Sequence, residues 1–282
     1  MRKFFRNIGI ISLICFSFYF TEKTVNVIKD ADELMIEIKN KQDNYYIEPI
    51  DGIIKDNTFI PGVSGKKVNT DKSYKRMKEY GLFNDSLLIY DIVKPKNQLK
   101  NNFDKYIISG NTTKKQVSII LTIYNSNYLD ALLNILSDNN IYVNFFVDGL
   151  WLEDNSNFLS RFISGGHDIG NISYNLDYED SSYPWMDNII KKATQSETNY
   201  CYNIKDNEKA LEVCSRYNNY TIRPSIILDS NYLHSIKEKL KAGSIISLPL
   251  DREVLKLLPT INNYIKSKGL EVVTLKELLK EE

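Results

Sequence analysis

The stretch Val117–Leu176 reads VSIILTIYNSNYLDALLNILSDNNIYVNFFVDGLWLEDNSNFLSRFISGGHDIGNISYNL and decides the fold. It begins with a buried-strand pattern at Val117–Ile123, and strand patterns recur at Ile141–Val147 and His167–Asn171. Between the strands lie two segments with apolar residues at helical spacing, Leu129–Leu136 and Phe158–Ile163. This β-α-β-α-β order predicts an α/β fold with parallel strands joined by helical crossovers.

The segments that follow the predicted strands are the candidate site. In parallel α/β folds, functional side chains lie at the carboxyl ends of the strands. Tyr124 and Asn125 follow the first strand, and Asn171 to Leu176 end the third. We expect these residues to lie close together.

Three segments of this stretch, LTIYNSN, NFFVDGLW and GGHDIGN, resemble motifs of the polysaccharide deacetylase family, or NodB homology domain. The resemblance covers about residues 116–282 and includes the ending from Thr260 to Leu278, which is similar to the family's last helix, strand and helix. It implies a distorted, incomplete (β/α) barrel.

The positions that carry the family's chemistry are changed. The resemblance places its catalytic base and first metal ligand on Tyr124 and Asn125, its two metal-binding histidines on Ile172 and Leu176, and a later motif histidine on Pro249. Isoleucine and leucine have no lone pair for a metal, and Tyr and Asn are not carboxylate bases near neutral pH. We therefore expect a pseudoenzyme with no metal cofactor.

The alternative is an active carbohydrate N-acetyl deacetylase with a rearranged metal site. It would hold zinc or another divalent metal through Asp168 or Asp177, and metal-bound water would attack the acetyl carbonyl. The chain has two histidines, His167 and His234. The first matches a family position that is not a ligand, and the second lies in a helical surface pattern.

Aromatic and amide side chains near the strand ends suggest glycan binding, because saccharides stack on aromatic rings and hydrogen bond to amides. The candidate residues are Asn125, Trp151, Asn171, Tyr174 and Asn175. Packing of the same aromatic rings in the core is the competing interpretation.

Two later cysteines, Cys201 and Cys214, could form a disulfide in an exported protein. They could equally be two buried free thiols.

The N-terminal residues 1–21 have the pattern of a signal-anchor. Arg2, Lys3 and Arg6 precede an apolar run at Ile8–Phe20, which lacks the small residues of a signal-peptidase site. We expect a membrane anchor with the rest of the protein on the extracytoplasmic face, or secretion if the signal is cleaved. A buried N-terminal helix is the competing interpretation.

Residues 22–115 are predicted to form a small α+β extension, with strand patterns that include Val25–Ile28. The Gly62–Lys67 segment does not satisfy the phosphate-loop pattern. Lys+Arg and Asp+Glu are 36 each, so no global positive charge favours nucleic acid as a partner.

Together these patterns predict a membrane-anchored protein at the bacterial cell surface, with residues 116–282 as its deacetylase-like domain. We expect a glycan-binding or envelope-scaffolding role, with cell-wall glycan and the membrane as its partners. A purely structural docking role for the barrel remains a second possibility.

Overall fold

The computed structural model describes residues 12, 16, 17, 19, 27–175, 177–179, 181–202, 208–228 and 230–282. In this part of the chain the strands are β1 (Ile53–Lys55), β2 (Thr58–Ile60), β3 (Gly65–Val68), β4 (Tyr90–Val93), β5 (Tyr106–Ile107), β6 (Gln116–Ile123), β7 (Asn144–Val147), β8 (Asp168–Asn171), β9 (Tyr200–Tyr202), β10 (Tyr220–Ile222), β11 (Ile226–Ile227), β12 (Ile245–Pro249) and β13 (Glu271–Val272). The helices are α1 (Glu33–Lys41), α2 (Thr70–Met77), α3 (Leu129–Asn139), α4 (Gly149–Asn155), α5 (Asn157–Ser164), α6 (Tyr183–Thr194), α7 (Glu208–Arg216), α8 (Tyr232–Lys239), α9 (Arg252–Ser267) and α10 (Leu275–Leu278).

The chain divides into two compact units. The smaller unit combines the described residues before 50 with Ser64–Val93, and the larger combines Ile50–Val63 with Lys94–Glu282. This division differs from the predicted boundary between residues 115 and 116. The reason is that β1, β2 and β5, which precede that boundary, pair into the main sheet.

The smaller unit packs α1 and α2 on each other beside the antiparallel β3–β4 pair. Asp32 caps α1 by accepting the Leu34 N–H at 3.0 Å, and it also accepts the Tyr74 hydroxyl at 2.9 Å. The strand expected at Val25–Ile28 is not found in its described part, because residues 27–30 form a helical turn. β-Branched side chains suggested a strand here, but local contacts override that preference.

The larger unit is built on a curled sheet with strand order β1-β2-β5-β10-β9-β8-β7-β6-β12-β11, and β13 also pairs with β6. All of these pairs are parallel except β1–β2. The predicted parallel arrangement of the first three strands of the motif region is confirmed, with β7 between β6 and β8. Because β1 and β11 are the two ends of this order, the sheet is the expected distorted, incomplete barrel.

Alternate residues of the strands fill two cores. On β6, Ile119 and Leu121 face the helices, whereas Ile120 belongs to the inner cluster with Phe146 and Ile172. The inner cluster also contains C-terminal residues from Val273 to Leu279. Period-two alternation therefore separates the helix-facing core from the interior of the curled sheet.

No described helix has the length and apolar character needed to cross a membrane. The predicted anchor at residues 1–21 lies almost entirely outside the described residues.

Candidate functional site

The predicted site positions converge at the carboxyl ends of neighbouring parallel strands. Tyr124 and Asn125 follow β6, Ile172 follows β8, and Pro249 is the last residue of β12, where it lies opposite Thr122 of β6. Leu176 lies outside the described residues. The backbone thus brings together four of the five degenerate motif positions.

Tyr124 and Asn125 lie at the carboxyl end of β6, and neither side chain is a carboxylate. The Tyr124 side chain is 42% exposed, and burial raises the pKa of its hydroxyl, opposed by a hydrogen bond from Thr122. Asn125 accepts the Asn127 N–H at 3.0 Å, which ties its side-chain oxygen to a local turn. A phenol that stays protonated and an engaged amide are poor replacements for two carboxylates.

Ile172 stands at one inherited metal-ligand position and is only 1% exposed. Its side chain belongs to the inner apolar cluster with Phe146 and Tyr202. A ligand position has therefore become part of the core.

The residues at this site do not fit the divalent metal that the family implies. In the described part of the chain, no group of three or more His, Cys, Asp or Glu side chains is placed to hold a metal ion. Neither Asp168 nor Asp177 takes part in a rearranged ligand set there, and Ile172 offers no donor.

Asp148 is a buried carboxylate at the site that the sequence patterns above did not identify. It is 6% exposed and caps α4, accepting the N–H groups of Leu150 at 3.0 Å and Trp151 at 3.4 Å. Its negative charge contributes to raising the pKa of Tyr124 and Tyr178, after burial as the main cause. The Asp-Gly sequence before a helical run is an N-cap signal that could have identified it.

The Tyr178 side chain holds the loop after β8 against the strand ends through two hydrogen bonds. Its buried hydroxyl lies 3.0 Å from the Asn171 carbonyl oxygen and 2.8 Å from that of Tyr202. Asn171 is fully buried, and its Oδ1 accepts the Ser173 N–H at 2.6 Å while Nδ2 has no hydrogen-bond partner. Tyr178 and Asn171 thus shape the loop, and neither presents an open surface.

An aromatic platform, formed by Tyr174 and Trp185, stands beside these strand ends. The two rings meet edge to face with centroids 6.1 Å apart, and Trp185 is 42% exposed. The Tyr174 hydroxyl donates to Glu153 Oε1 at 3.2 Å. Gly149 permits this arrangement, because a Cβ there would lie 2.8 Å from the Tyr174 ring.

Sequence reasoning included Tyr174 but missed Trp185 and Glu153. Pro184 is the second residue of α6, so Trp185 lies in the first turn of this helix. Proline at the first helical positions is a signal that could have shown this. Glu153 had no sequence signal, because only the fold brings α4 beside the loop after β8.

The other glycan candidates differ in accessibility. Asn125 and Asn175 are exposed, but Trp151 is only 7% exposed and Asn171 is buried. The Trp151 indole N–H donates to Ser126 Oγ at 3.1 Å, and its ring packs near Phe158. Trp151 is therefore a core aromatic residue, as the competing interpretation expected. Its indole N–H already has a hydrogen-bond acceptor inside the fold.

The two histidines lie away from the strand ends that form the site. His167 precedes β8, at the opposite end of that strand, and its Nδ1 accepts the Val143 N–H at 3.3 Å. Burial lowers the pKa of His167 to about 4. His234 is exposed on α8, with Nε2 3.4 Å from Glu238 Oε1.

The structure joins Cys201 and Cys214 by a disulfide between β9 and α7, across a sequence separation of 13. The Tyr183 hydroxyl contacts Cys201 Sγ at 3.0 Å. Asn219 Nδ2 donates to Asp187 Oδ1 at 2.7 Å in the same buried region. The bridge therefore belongs to the scaffold around α6, β9 and α7.

Comparison with known proteins gives the following similarities. A family model described as polysaccharide deacetylase matches residues 109–240. The chain is 35% identical over 157 residues to the uncharacterized protein YlxY of Bacillus subtilis (strain 168), covering 54% of this chain and 48% of that protein. It is 28% identical over 156 residues to the peptidoglycan-N-acetylmuramic acid deacetylase PdaA of the same organism, covering 54% and 53%. The chain thus spans about half the length of these curated relatives.

Solved structures show the same fold. BA3943 of Bacillus anthracis, a CE4 family pseudoenzyme, is similar with a TM-score of 0.66 at 23% identity, covering 89% of this chain and 96% of that one. A BA3943 mutant with restored enzymatic activity is similar with a TM-score of 0.67 at 22% identity, covering 89% and 99%.

Proposed function

We propose that this chain is a non-catalytic, glycan-binding protein of the bacterial cell envelope, with a degenerate deacetylase domain where residues 109–240 match the polysaccharide deacetylase family model. The observation that carries this proposal is the contrast at one end of the sheet. Ile172 buries a metal-ligand position in the core, while the aromatic platform beside it remains open to solvent.

The loss of chemistry follows from the side chains at the strand ends. Deacetylation of the family type uses a carboxylate base and a metal to activate water. Tyr124 and Asn125 supply neither a carboxylate nor a charge to balance a divalent cation, and Ile172 supplies no lone pair.

Glycan binding uses what the site retains. The exposed Trp185 ring can stack on the apolar face of a sugar, and Tyr174 meets it edge to face. Glu153 and the exposed Asn125 and Asn175 offer hydrogen-bonding groups for sugar hydroxyls. The name of PdaA identifies peptidoglycan as its substrate. This supports cell-wall glycan as the class of ligand.

The N-terminal sequence supports a position at the cell membrane. The apolar run Ile8–Phe20, after three basic residues, would hold the chain in the membrane with both folded units on the extracytoplasmic face. Glycan binding there would place the protein where envelope enzymes work, consistent with a scaffolding role.

The experiment combines three measurements on the purified full chain in mild detergent. We expect no stoichiometric metal by elemental analysis, no acetate release from chitooligosaccharide or peptidoglycan, and co-sedimentation with insoluble peptidoglycan. Trp185→Ala should weaken that binding about tenfold, which corresponds to ~1.4 kcal/mol. Tyr142→Ala, which removes an exposed aromatic residue before β7, is the matched control and should bind like the natural chain.

Two results would overturn the proposal. Acetate release that a chelator abolishes would demonstrate an active rearranged site. Failure to bind peptidoglycan or any oligosaccharide would remove the glycan-binding function and favour a structural docking role.

A further inference from the structure

We propose that the aromatic platform selects glycan from which N-acetyl groups have been removed, that is, an amino sugar with a free ammonium group. This inference rests on the proposed glycan binding and adds the chemical class of the ligand. The protein would then bind the product of a deacetylation reaction that another enzyme has carried out.

The two segments that carry the platform and Glu153 contain charged residues of one sign only. The segments 148–155 and 171–187, which carry the platform and Glu153, contain seven acidic residues and no Lys, Arg or His: Asp148, Glu153, Asp154, Asp177, Glu179, Asp180 and Asp187. Lysines from outside these segments balance two of them, with Lys209 3.0 Å from Glu179 and Lys191 2.9 Å from Asp187. Among the described residues, no cation lies within ion-pair distance of Glu153.

Glu153 is placed to act on a stacked sugar. Its Oε1 accepts the Tyr174 hydroxyl at 3.2 Å, which holds the carboxylate at the edge of the aromatic platform. In the proposed complex, a sugar ring stacked on Trp185 would direct an edge substituent towards Tyr174, whose hydroxyl contacts this carboxylate. An ammonium substituent there would form a charge-assisted hydrogen bond, which is about twice as strong as a neutral one.

An N-acetyl substituent would interact less favourably with the Glu153 carboxylate than an ammonium group would. Its amide is neutral, so it contributes one ordinary hydrogen bond and its methyl group meets a charged edge. Carboxylates alone would attract any cation, but the exposed ring of Trp185 selects a ligand with an apolar face.

The test compares two pentasaccharides by calorimetry on the full chain in mild detergent, the β-1,4-linked pentamer of N-acetylglucosamine and that of glucosamine. We expect the glucosamine pentamer to bind at least about tenfold tighter at low salt, and about 0.5 M salt to reduce this preference because it screens charge. Glu153→Gln should reduce the preference to about twofold by neutralising the carboxylate. Glu238→Gln on α8 makes the same charge change elsewhere and should leave the preference intact.

The outcomes separate the two proposals. Equal binding of both pentamers, or tighter binding of the acetylated one, would overturn the selectivity and leave glycan binding in place. An equal loss of preference in both variants would show that net charge, not the platform, attracts the amino sugar. If neither pentamer nor peptidoglycan binds, the proposed function fails and the selectivity fails with it.

Discussion

Single side chains account for the change of chemistry at the strand ends. In the sheet β6 pairs with β12, and only β7 separates β6 from β8. What changed is the chemical group at each position, with a phenol at Tyr124, an amide at Asn125 and an aliphatic chain at Ile172. A fold can keep its frame after its chemistry is lost, because the frame depends on core packing.

The first residue-scale prediction restores the inherited ligands. A chain carrying Tyr124→Asp, Asn125→Asp, Ile172→His and Leu176→His should bind about one zinc ion per molecule, since two imidazoles and a carboxylate make a catalytic-type ligand set. Elemental analysis and calorimetry would measure this. The variant with only the two aspartates is the control and should bind far more weakly. Absence of zinc from a folded quadruple variant would show that the backbone no longer presents these positions together.

The second residue-scale prediction concerns pH and His167, which is 8% exposed and whose pKa burial lowers from 6.5 to about 4. Above pH 6.5 the imidazole is neutral in both states. As pH falls from 6.5 towards 4, the unfolded chain binds a proton that the folded chain does not. The free energy of unfolding should therefore fall over this window, by up to about 3 kcal/mol.

Urea unfolding at several pH values would measure this slope. Burial raises the pKa of the Asp168 carboxyl, which acts in the opposite direction at the acidic end of the window. The control is His167→Gln, whose lower stability should vary less with pH between 6.5 and 4. An equal slope in both proteins would assign the effect to other groups.

At the scale of secondary-structure elements, the disulfide between β9 and α7 stabilises one side of the sheet. It closes a loop with a sequence separation of 13. In the chain-entropy model a loop of this length contributes about 3 kcal/mol by restricting the unfolded state. Reductant should therefore lower the melting temperature of the natural chain.

Thermal unfolding with and without reductant tests the disulfide. The Cys201→Ala/Cys214→Ala variant should melt at the lower temperature in both conditions, because it has no bond to reduce. A natural chain that melts identically with and without reductant would show that the two thiols are not joined in solution.

The last helix, α10, depends on a lysine from a distant part of the sequence. Lys114 Nζ donates to the carbonyl oxygens of Glu277 at 2.7 Å and Lys280 at 2.9 Å. A cation at a helix C-terminus satisfies unpaired carbonyls and interacts favourably with the helix dipole. The Lys114 side chain is partly withdrawn from water, and this burial lowers its pKa.

Lys114→Met should therefore destabilise the larger unit by about 1–2 kcal/mol, because it leaves these carbonyls unpaired. Chemical unfolding would measure the difference. Lys115→Met, one residue along and exposed, is the matched control and should change stability by less than about 0.5 kcal/mol. Equal effects of the two substitutions would contradict the capping role.

At the scale of the whole molecule, the prediction concerns the N-terminal apolar run and the location of the protein. We predict that the mature protein keeps residues 1–21 and fractionates with membranes, because the run Ile8–Phe20 is not followed by a signal-peptidase site. Cell fractionation and N-terminal sequencing measure this. Deletion of residues 2–20 should leave the protein in the cytoplasm. Membrane-free mature protein that begins near Thr21 to Val25 would contradict the prediction.

The sequence predicted the parallel core of the sheet because its strands are buried on both faces. Val117–Ile123 is apolar except at Ser118 and Thr122, Phe145–Val147 is apolar throughout, and a segment with helical spacing lies between them. Such patterns depend on near neighbours along the chain, which periodicity can detect. The resemblance to the deacetylase family rested on the same stretch.

The sequence by itself determined which chemical groups stand at these strand ends, because the identity of Tyr124, Asn125 and Ile172 settles which donors exist there. Only the tertiary structure decided which side chains meet. It buried Trp151, brought Glu153 of α4 beside Tyr174, and joined β1, β2 and β5 to the main sheet. The physical reason is that contacts between distant segments depend on how the elements pack, and packing leaves no periodic signal in the chain.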